Sequence, residues 1–209
     1  MASCTRRNDE WIDRMARPRE FDEGVVLASA AECFWIRGYE ATSVRDLVET
    51  TGVTSASLYN AFGDKHSLYR RALDYYVEGS VSGRIERCKK LAPREAIEAF
   101  FGEIVRRSLG DQDHKGCMLV NAALDVAPHD PEFRVAVNRV LIRLEVFFLE
   151  RVRAGQKDKT INRAVPADDI ARHLLAVLLG IRVLARVRPE KPLLEGAVRS
   201  SLKILEREK

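Results

Sequence analysis

The stretch of sequence that decides the fold is residues 42–65, TSVRDLVETTGVTSASLYNAFGDK. Ser43, followed three residues later by Asp46, matches the capping pattern that opens a helix. Gly52 supplies the left-handed backbone conformation that a tight helix exit needs. Thr54 is then placed to cap a second helix. The pattern therefore predicts two short helices joined by a tight turn, which is a helix-turn-helix.

The second helix of this pair carries a surface suited to DNA. Leu58 and Phe62 lie four residues apart, so we expect them to face inward. The side chains expected to face outward are small hydroxyls, one phenol and one amide: Thr54, Ser55, Ser57, Tyr59 and Asn60. Such groups form hydrogen bonds with phosphates and with base edges in a major groove. No charged residue occurs between Thr50 and Gly63, so contacts by this helix depend on hydrogen bonds rather than on charge.

The run GYEATSVRDLVETTGVTSASLYNAFGDKHSLY, residues 38–69, resembles the DNA-binding domain of the TetR family of transcriptional regulators. The matching features are the aromatic after Gly38, the Thr42-Ser43 pair, the Gly52 turn, Ser57-Leu58-Tyr59, Phe62 and Lys65. The resemblance implies a non-enzymatic homodimer, without cofactor or metal, that binds double-stranded operator DNA with an inverted repeat. The residues implied to contact DNA are Thr42, Ser43, Arg45, Thr54, Ser55, Ser57, Tyr59, Asn60 and Lys65.

Three of these assignments have alternatives that the sequence leaves open. Tyr59 is either a DNA contact or a partly buried core tyrosine. Lys65 either reaches a phosphate or is a solvated lysine in the first turn of the next helix. Arg45 touches either the DNA backbone or solvent alone.

The composition is typical of a helical globular protein. The 209 residues are 46% hydrophobic and 32% charged. Alternating β-branched runs are scarce, while strong helix formers abound, so helix is favoured throughout. We predict an all-α fold in which residues 20–80 form a three-helix helix-turn-helix domain. Residues 81–209 then form a larger helical domain for effector binding and dimerisation.

The cysteines and the apolar runs bear on the location of the protein. Cys4, Cys33, Cys88 and Cys117 are scattered, with neither metal-ligand spacing nor a signal peptide, which indicates reduced thiols in the cytoplasm. The most apolar stretch, residues 174–181, is far too short to span a bilayer, so we expect no membrane partner.

The distribution of charge does not by itself indicate a DNA partner. The whole chain carries a formal net charge of +4. Residues 20–80 hold five basic against ten acidic residues, so their balance is −5 and the positive excess lies elsewhere. The helix-turn-helix motif, rather than charge, therefore nominates this region as the DNA-binding one.

Residues 1–19 show mixed charge and no apolar period over most of their length. We predict a disordered extension that ends in a short basic arm at Arg17 and Arg19, where it touches backbone phosphates. A terminus that contacts nothing is the alternative. Met15 is a second candidate start, and the sequence does not decide between Met1 and Met15.

The apolar periodicity predicts further helices on both sides of the motif. Gly79 and Gly83 are placed to bend the helix that follows the motif. The last two helices are apolar enough to pair with a second copy of the chain as a four-helix bundle, as the resemblance implies. The predicted helices span residues 22–37, 64–90, 93–109, 117–127, 133–153, 167–188 and 193–206.

The larger domain is expected to hold a cavity for an unidentified small apolar or amphipathic effector. Asn121 and Asp125 lie four residues apart on one helix face. They either anchor a ligand there, or are exposed or bonded within the chain. His173 is either a ligand contact or an interface or core histidine. The predicted lining is Phe100, Phe101, Ile104, Met118, Asn121, Leu124, Asp125, Phe147 and His173.

Other classes of protein are weakly supported. An enzyme would need catalytic groups such as His114 with Cys117, or His129 with Asp130, yet no phosphate loop, metal cluster or dinucleotide fingerprint accompanies them. A helical adaptor for another protein would not need the capped helix-turn-helix. Oxidant sensing by Cys117 has little support, because only Lys115 and His114 are basic neighbours in sequence.

Overall fold

Short polar side chains begin each of the first four helices. In a computed structural model that describes residues 21–206, Asp22, Ser43, Thr54 and Asp64 each accept a hydrogen bond from a backbone N–H of the following turn. The predicted capping box is present, because Ser43 and Asp46 bond reciprocally. The helices are α1 (Glu23–Arg37), α2 (Val44–Thr51), α3 (Ser55–Phe62) and α4 (Lys65–Val77). The predicted extension over residues 1–19, with its basic arm and Met15, lies outside the described residues.

These four helices share one apolar core. Phe34 of α1, Leu47 of α2, Leu58 of α3 and Leu68 of α4 are each at most 2% exposed. The core continues into the rest of the chain through Tyr69, whose ring lies 4.8 Å from that of Phe34. On its other side, the Tyr69 ring stacks 5.0 Å from the ring of Phe133. The helix-turn-helix region is therefore packed directly on the larger region.

A π-helical turn, Glu78–Ser82, interrupts the helix that follows the motif. The sequence predicts one helix over residues 64–90; the structure instead shows α4, this turn and then α5 (Gly83–Cys88). The Ser82 hydroxyl is buried and accepts a hydrogen bond from Arg143 at 2.7 Å. The break thus lies at the two glycines expected to bend the helix, and the hydrogen bond from Arg143 holds it in place.

The remaining helices surround a second core that is rich in phenylalanine. Phe100, Phe101, Phe147 and Phe148 are each at most 1% exposed, and in five of their six pairs the ring centroids lie 5.2–6.0 Å apart. Helices α8 and α9 pack along each other, and α6, α7 and α10 pack around them. Their bounds are α6 (Pro93–Leu109), α7 (Met118–Asp125), α8 (Pro131–Lys157), α9 (Ala167–Val187) and α10 (Lys191–Leu202), followed by a 3-10 turn (Lys203–Leu205).

The all-α prediction is confirmed, since residues 21–206 contain no strand. Helix α8 begins two residues earlier than predicted, because Asp130 caps it and Pro131 occupies its first position, and it ends four residues later, at Lys157. Within the described part of the chain, no helix combines the length and the apolarity that crossing a membrane requires.

Candidate nucleic-acid interface and effector cavity

The turn between α2 and α3 has the geometry that its sequence predicts. Gly52 has φ 69° and ψ 11°, a left-handed conformation that strains a residue with a side chain. Its N–H donates to the Val48 carbonyl at 2.9 Å, which closes α2. Leu58 and Phe62 are 1% and 5% exposed, so α3 is fixed on the core by its inner face. The opposite face of α3 is left toward solvent.

The outer surface of α3 is polar and carries no charge. Thr54, Ser55 and Asn60 are exposed, and Ser57 and Tyr59 are half-buried. The Thr54 hydroxyl accepts from the Ser57 N–H at 3.3 Å and lies 3.1 Å from the Ser57 hydroxyl. These contacts stiffen the first turn of α3, and the hydroxyls keep capacity for an outside partner. The start of a helix in general favours an anion, because its first backbone N–H groups lack partners within the helix.

Two cations flank α3, and their surroundings differ. Arg45 on α2 has an 87% exposed side chain, but its Nε pairs with Glu49 at 2.8 Å. Lys65, at the start of α4, lies over the Tyr39 ring with its ammonium 4.6 Å from the ring centroid. The same ammonium is 3.5 Å from the Glu40 carbonyl. Within residues 21–206, Lys65 has no carboxylate partner, so its charge remains available to a phosphate.

The structure does not place the Thr42 side chain on the predicted DNA surface. Thr42 is 1% exposed, and its hydroxyl donates to the Gly38 carbonyl at 2.6 Å. It therefore joins the end of α1 to the start of α2. Ser43 is exposed, although the Asp46 carboxylate already accepts from its hydroxyl at 2.6 Å. We correct the assignment of Thr42 from a DNA contact to a structural residue of the turn.

A cavity of about 660 Å³ lies beside the π-helical turn, where the helix-turn-helix region meets the larger region. Helix α1, helices α4 to α9 and the loop of residues 110–117 contribute to its walls. Its apolar lining includes Trp35, Tyr76, Phe100, Ile104, Leu144 and Leu178. The volume and the aromatic lining are those of a site for a small organic molecule.

Most of the predicted cavity residues lie elsewhere. Phe100 and Ile104 line the cavity, but Phe101, Met118 and Phe147 are at most 1% exposed and pack in the core instead. The prediction was wrong for α7, because this helix turns Leu119 and Val120 toward the cavity. Helical spacing predicts which face of a helix is buried, but it does not distinguish residues that pack in the core from residues that line a cavity.

The polar residues predicted for the cavity are also misplaced. Asn121 donates from its Nδ2 to the Lys115 carbonyl at 3.1 Å, so it is bonded within the chain. Leu124 is 61% exposed, and Asp125 and His173 are exposed. For Asn121 and Asp125 the alternative interpretation, an internal bond and an exposed group, describes the structure.

The cavity wall instead holds a buried polar group, Arg182, that the sequence pattern does not predict. Arg182 of α9 is 9% exposed and donates to the Ser108 hydroxyl at 3.0 Å and to the Gly116 carbonyl. The Cys117 thiol lies beside it, 3.6 Å from the Tyr76 hydroxyl. Burial opposes ionisation of the thiol, but Arg182, backbone N–H groups at the start of α7 and Tyr76 outweigh it, so the pKa of Cys117 is lowered. Burial raises the pKa of Tyr76, which stays neutral.

The cavity loop contacts α1 directly. Trp35 of α1 donates from its indole nitrogen to the Lys115 carbonyl at 3.1 Å, the same carbonyl that Asn121 bonds. The Lys115 ammonium pairs with Glu32 of α1 at 2.7 Å. The loop beside the cavity is therefore bonded directly to the first helix of the helix-turn-helix region.

The fold and the two sites define a helix-turn-helix regulator with an internal cavity. The family model of bacterial regulatory proteins of the tetR family matches residues 26–72, and that of the tetracyclin repressor-like C-terminal domain matches residues 93–201. The uncharacterized HTH-type transcriptional regulator YezE of Bacillus subtilis is 33% identical over 196 residues, covering 92% of this chain and 100% of YezE. The chain therefore belongs to the TetR family, and it is a transcriptional regulator rather than an enzyme.

Two other relatives add detail. The HTH-type transcriptional repressor ComR of Escherichia coli is 32% identical over 114 residues, which are 54% of each protein. A structure of the TetR family regulator CifR, a cysteine mutant complexed with 26-base-pair operator DNA, matches with a TM-score of 0.81 and 31% identity. The match covers 91% of this chain and 100% of the CifR chain.

Proposed function

We propose that this chain is a homodimeric repressor that binds an inverted-repeat operator and is released from it by a small amphipathic effector. The main support for DNA binding is the polar, uncharged outer face of α3, a helix that the buried side chains of Leu58 and Phe62 fix on the core. The complex of CifR with operator DNA supports DNA binding, and docking of the second motif helix in a major groove is the usual geometry of helix-turn-helix proteins. ComR is described as a transcriptional repressor, which supports repression rather than activation by this chain. Because the partner is chromosomal DNA, we place the protein in the cytoplasm.

The proposed contacts divide by chemistry. Asn60, exposed on α3, presents an amide to base edges and sets sequence preference. The hydroxyls and the two cations contact phosphates and fix the register of α3 in the groove. The proposed DNA-contacting set is Ser43, Arg45, Thr54, Ser55, Ser57, Tyr59, Asn60 and Lys65. We assign this role to residues 20–80, and effector binding and dimerisation to residues 81–209.

Dimerisation through α9 and α10 is supported by a stripe on α9. Ala176, Gly180, Val183 and Val187 follow one another at helical spacing and are all exposed, with Val183 at 43% and Val187 at 70%. The small residues Ala176 and Gly180 allow a second helix to approach closely. An apolar stripe of this kind is stabilised when a second copy covers it.

The effector would act through the walls of the cavity. The π-helical turn contributes Gly79, Ser80 and Val81 to the lining and continues directly from α4. Trp35 lines the cavity and is also bonded to the loop of residues 110–117. A bound molecule that prefers one arrangement of these walls would shift the population between two spacings of the paired α3 helices.

Selection of bound duplexes from random double-stranded DNA tests the proposal. We expect an inverted repeat whose half-sites lie one helical turn apart, and Asn60→Ala should change the selected bases. Lys89→Ala, on an exposed lysine beyond α5, serves as the control and should select the same repeat. A protein that selects no sequence, or only single half-sites, would refute the proposed operator binding.

Val183→Arg tests the dimer. Placing a charge on the exposed stripe of α9 should give a folded monomer with little operator affinity, because a buried unpaired charge opposes association. Val135→Arg is the matched control, since Val135 is 60% exposed and belongs to a different helix, α8. Sedimentation should show a dimer for the wild type and for the control. A wild-type monomer at micromolar concentration would rule out the interface.

A further inference from the structure

Arg182 stands apart from the other cations around the cavity. Four cationic side chains line it: Arg84, Arg107, Lys115 and Arg182. Arg84 and Arg107 both pair with Glu103, each at 3.2 Å. Lys115 pairs with Glu32 at 2.7 Å and with Asp113 at 3.4 Å. Within residues 21–206, Arg182 forms no ion pair with any carboxylate.

Among the described residues, the partners of Arg182 include no carboxylate, although the Cys117 thiol, whose pKa Arg182 lowers, lies beside it. Arg182 donates to the hydroxyl of Ser108 and to the carbonyl of Gly116, although only 9% of the residue is exposed. A guanidinium this deeply buried is costly without an opposite charge. Of the two carboxylates that line the cavity, Asp113 pairs with Lys115, and Asp111 accepts from the Gly116 N–H at 2.9 Å. Among the four cations that line the cavity, Arg182 is thus the one that contacts no carboxylate of residues 21–206.

The surroundings of Arg182 define the rest of a ligand. Trp35, Tyr76, Phe100, Ile104, Leu144 and Leu178 give the same cavity an aromatic and aliphatic wall. A guanidinium binds a carboxylate with two parallel hydrogen bonds, and the low polarity around it strengthens the pair. An apolar body of small size would fill the remainder of the 660 Å³.

We propose that the cavity takes a monoanionic organic acid with an apolar body, and that its carboxylate binds Arg182. This inference rests on the proposed function, in which the cavity is the effector site. The incoming carboxylate would compete with the Gly116 carbonyl for the guanidinium, and so loosen the loop of residues 110–117 from α9. That loop is bonded to Trp35 of α1, so the anionic group would act at the point where the cavity meets the DNA-binding region.

Matched pairs of probes test the charge preference without knowledge of the natural ligand. Decanoate is compared with decanol, phenylbutyrate with phenylbutanol, and naphthylacetate with naphthylethanol, by calorimetry and by thermal shift of the full-length protein. We expect at least one carboxylate to bind roughly 10- to 100-fold more tightly than its alcohol, the range for hydrogen bonds to a charged group. Equal or tighter binding of the alcohols, or no binding of any carboxylate at millimolar concentration, would overturn the proposal.

Variants assign the preference to one residue. Arg182→Met replaces the guanidinium by an apolar side chain of similar length. In this variant the affinities for each carboxylate and its alcohol should differ by no more than about twofold, whereas Arg182→Lys should keep part of the preference for the carboxylate. Arg107→Met is the matched control, because Arg107 lines the same cavity but is paired with Glu103. It should leave the preference unchanged. A preference that survives in Arg182→Met, or that Cys117→Ser abolishes, would contradict the assignment to Arg182.

The outcomes separate this inference from the proposed function. Operator binding is measured without any ligand, so its absence refutes the proposed function while the probe pairs still report on the cavity. If an operator is found and an alcohol releases it as well as its carboxylate does, the effector model stands and only the anion preference fails.

Discussion

Replacing Lys65 with Ala tests the docking of α3 through its salt dependence. Lys65 is the cation at the start of α4, and within the described residues no carboxylate neutralises it, whereas Arg45 is held by Glu49 at 2.8 Å. Each phosphate that a protein neutralises contributes about 0.9 to the slope of log affinity against log salt. Two subunits each lose one contact, so Lys65→Ala should flatten the slope by about 1.8.

The loss of affinity follows from the same numbers. Release of two counterions at roughly 0.1 M salt corresponds to a decrease on the order of 50-fold. The decrease should be similar for operator and unrelated duplexes, because a phosphate contact carries no sequence information. Fluorescence anisotropy of a labelled duplex, at about 50 to 300 mM potassium chloride, measures both quantities.

Lys89→Ala provides the comparison for this measurement. Lys89 follows α5 and pairs with Glu86 at 3.2 Å, so its removal takes away one lysine without touching α3. Its slope should equal that of the wild type. If Lys65→Ala and Lys89→Ala gave the same slope, Lys65 would not face a phosphate, and the orientation of α3 described above would be wrong.

Two further predictions concern the larger region. The pKa of Cys117 is lowered, so its reactive thiolate should persist to lower pH than that of an ordinary cysteine, and Arg182→Met should move the alkylation midpoint to higher pH. Iodoacetamide labelling across pH, followed by mass spectrometry, measures this, and an unmoved midpoint would contradict the role of Arg182. Gly155→Ala should cost about 1–3 kcal/mol in free energy of unfolding, since the new Cβ would lie 2.5 Å from Ile161, which is 1% exposed. Gly102→Ala, in open space within α6, should instead gain up to about 1 kcal/mol; equal effects of the two changes in chemical denaturation would refute the packing argument.

The helix-turn-helix could be predicted from sequence because its signals are local. Ser43 and Asp46 cap α2 across three residues, and Gly52 stands where the backbone must be left-handed. Each of these features depends only on residues within about one helical turn of it in the sequence. The exception is Thr42, whose burial depends on how α1 meets α2, which no pattern inside the motif records.

The cavity could not be predicted in the same way, because its chemistry joins distant residues. Arg182 approaches Ser108 and Gly116 across separations of 74 and 66 residues. In sequence, Arg182 is one arginine at the end of an apolar run, and nothing there distinguishes it from an exposed residue. Cys117 likewise has only Lys115 and His114 as basic neighbours along the chain, while its decisive neighbour lies on α9. The apolar periodicity predicted the helices, but it did not indicate which of their buried faces line the cavity.

The uncharged surface of α3 has a consequence for how the protein searches a chromosome. Residues 20–80 carry a balance of −5, so we expect their attraction to arbitrary phosphates to be weak. A chromosome offers about 10⁶–10⁹ competing sites that sequester strongly basic DNA-binding proteins. A regulator with little affinity for those sites spends more of its time in free solution and less in sliding. A small number of copies per cell would then suffice to occupy the operator, and the time to find it would depend on three-dimensional encounters.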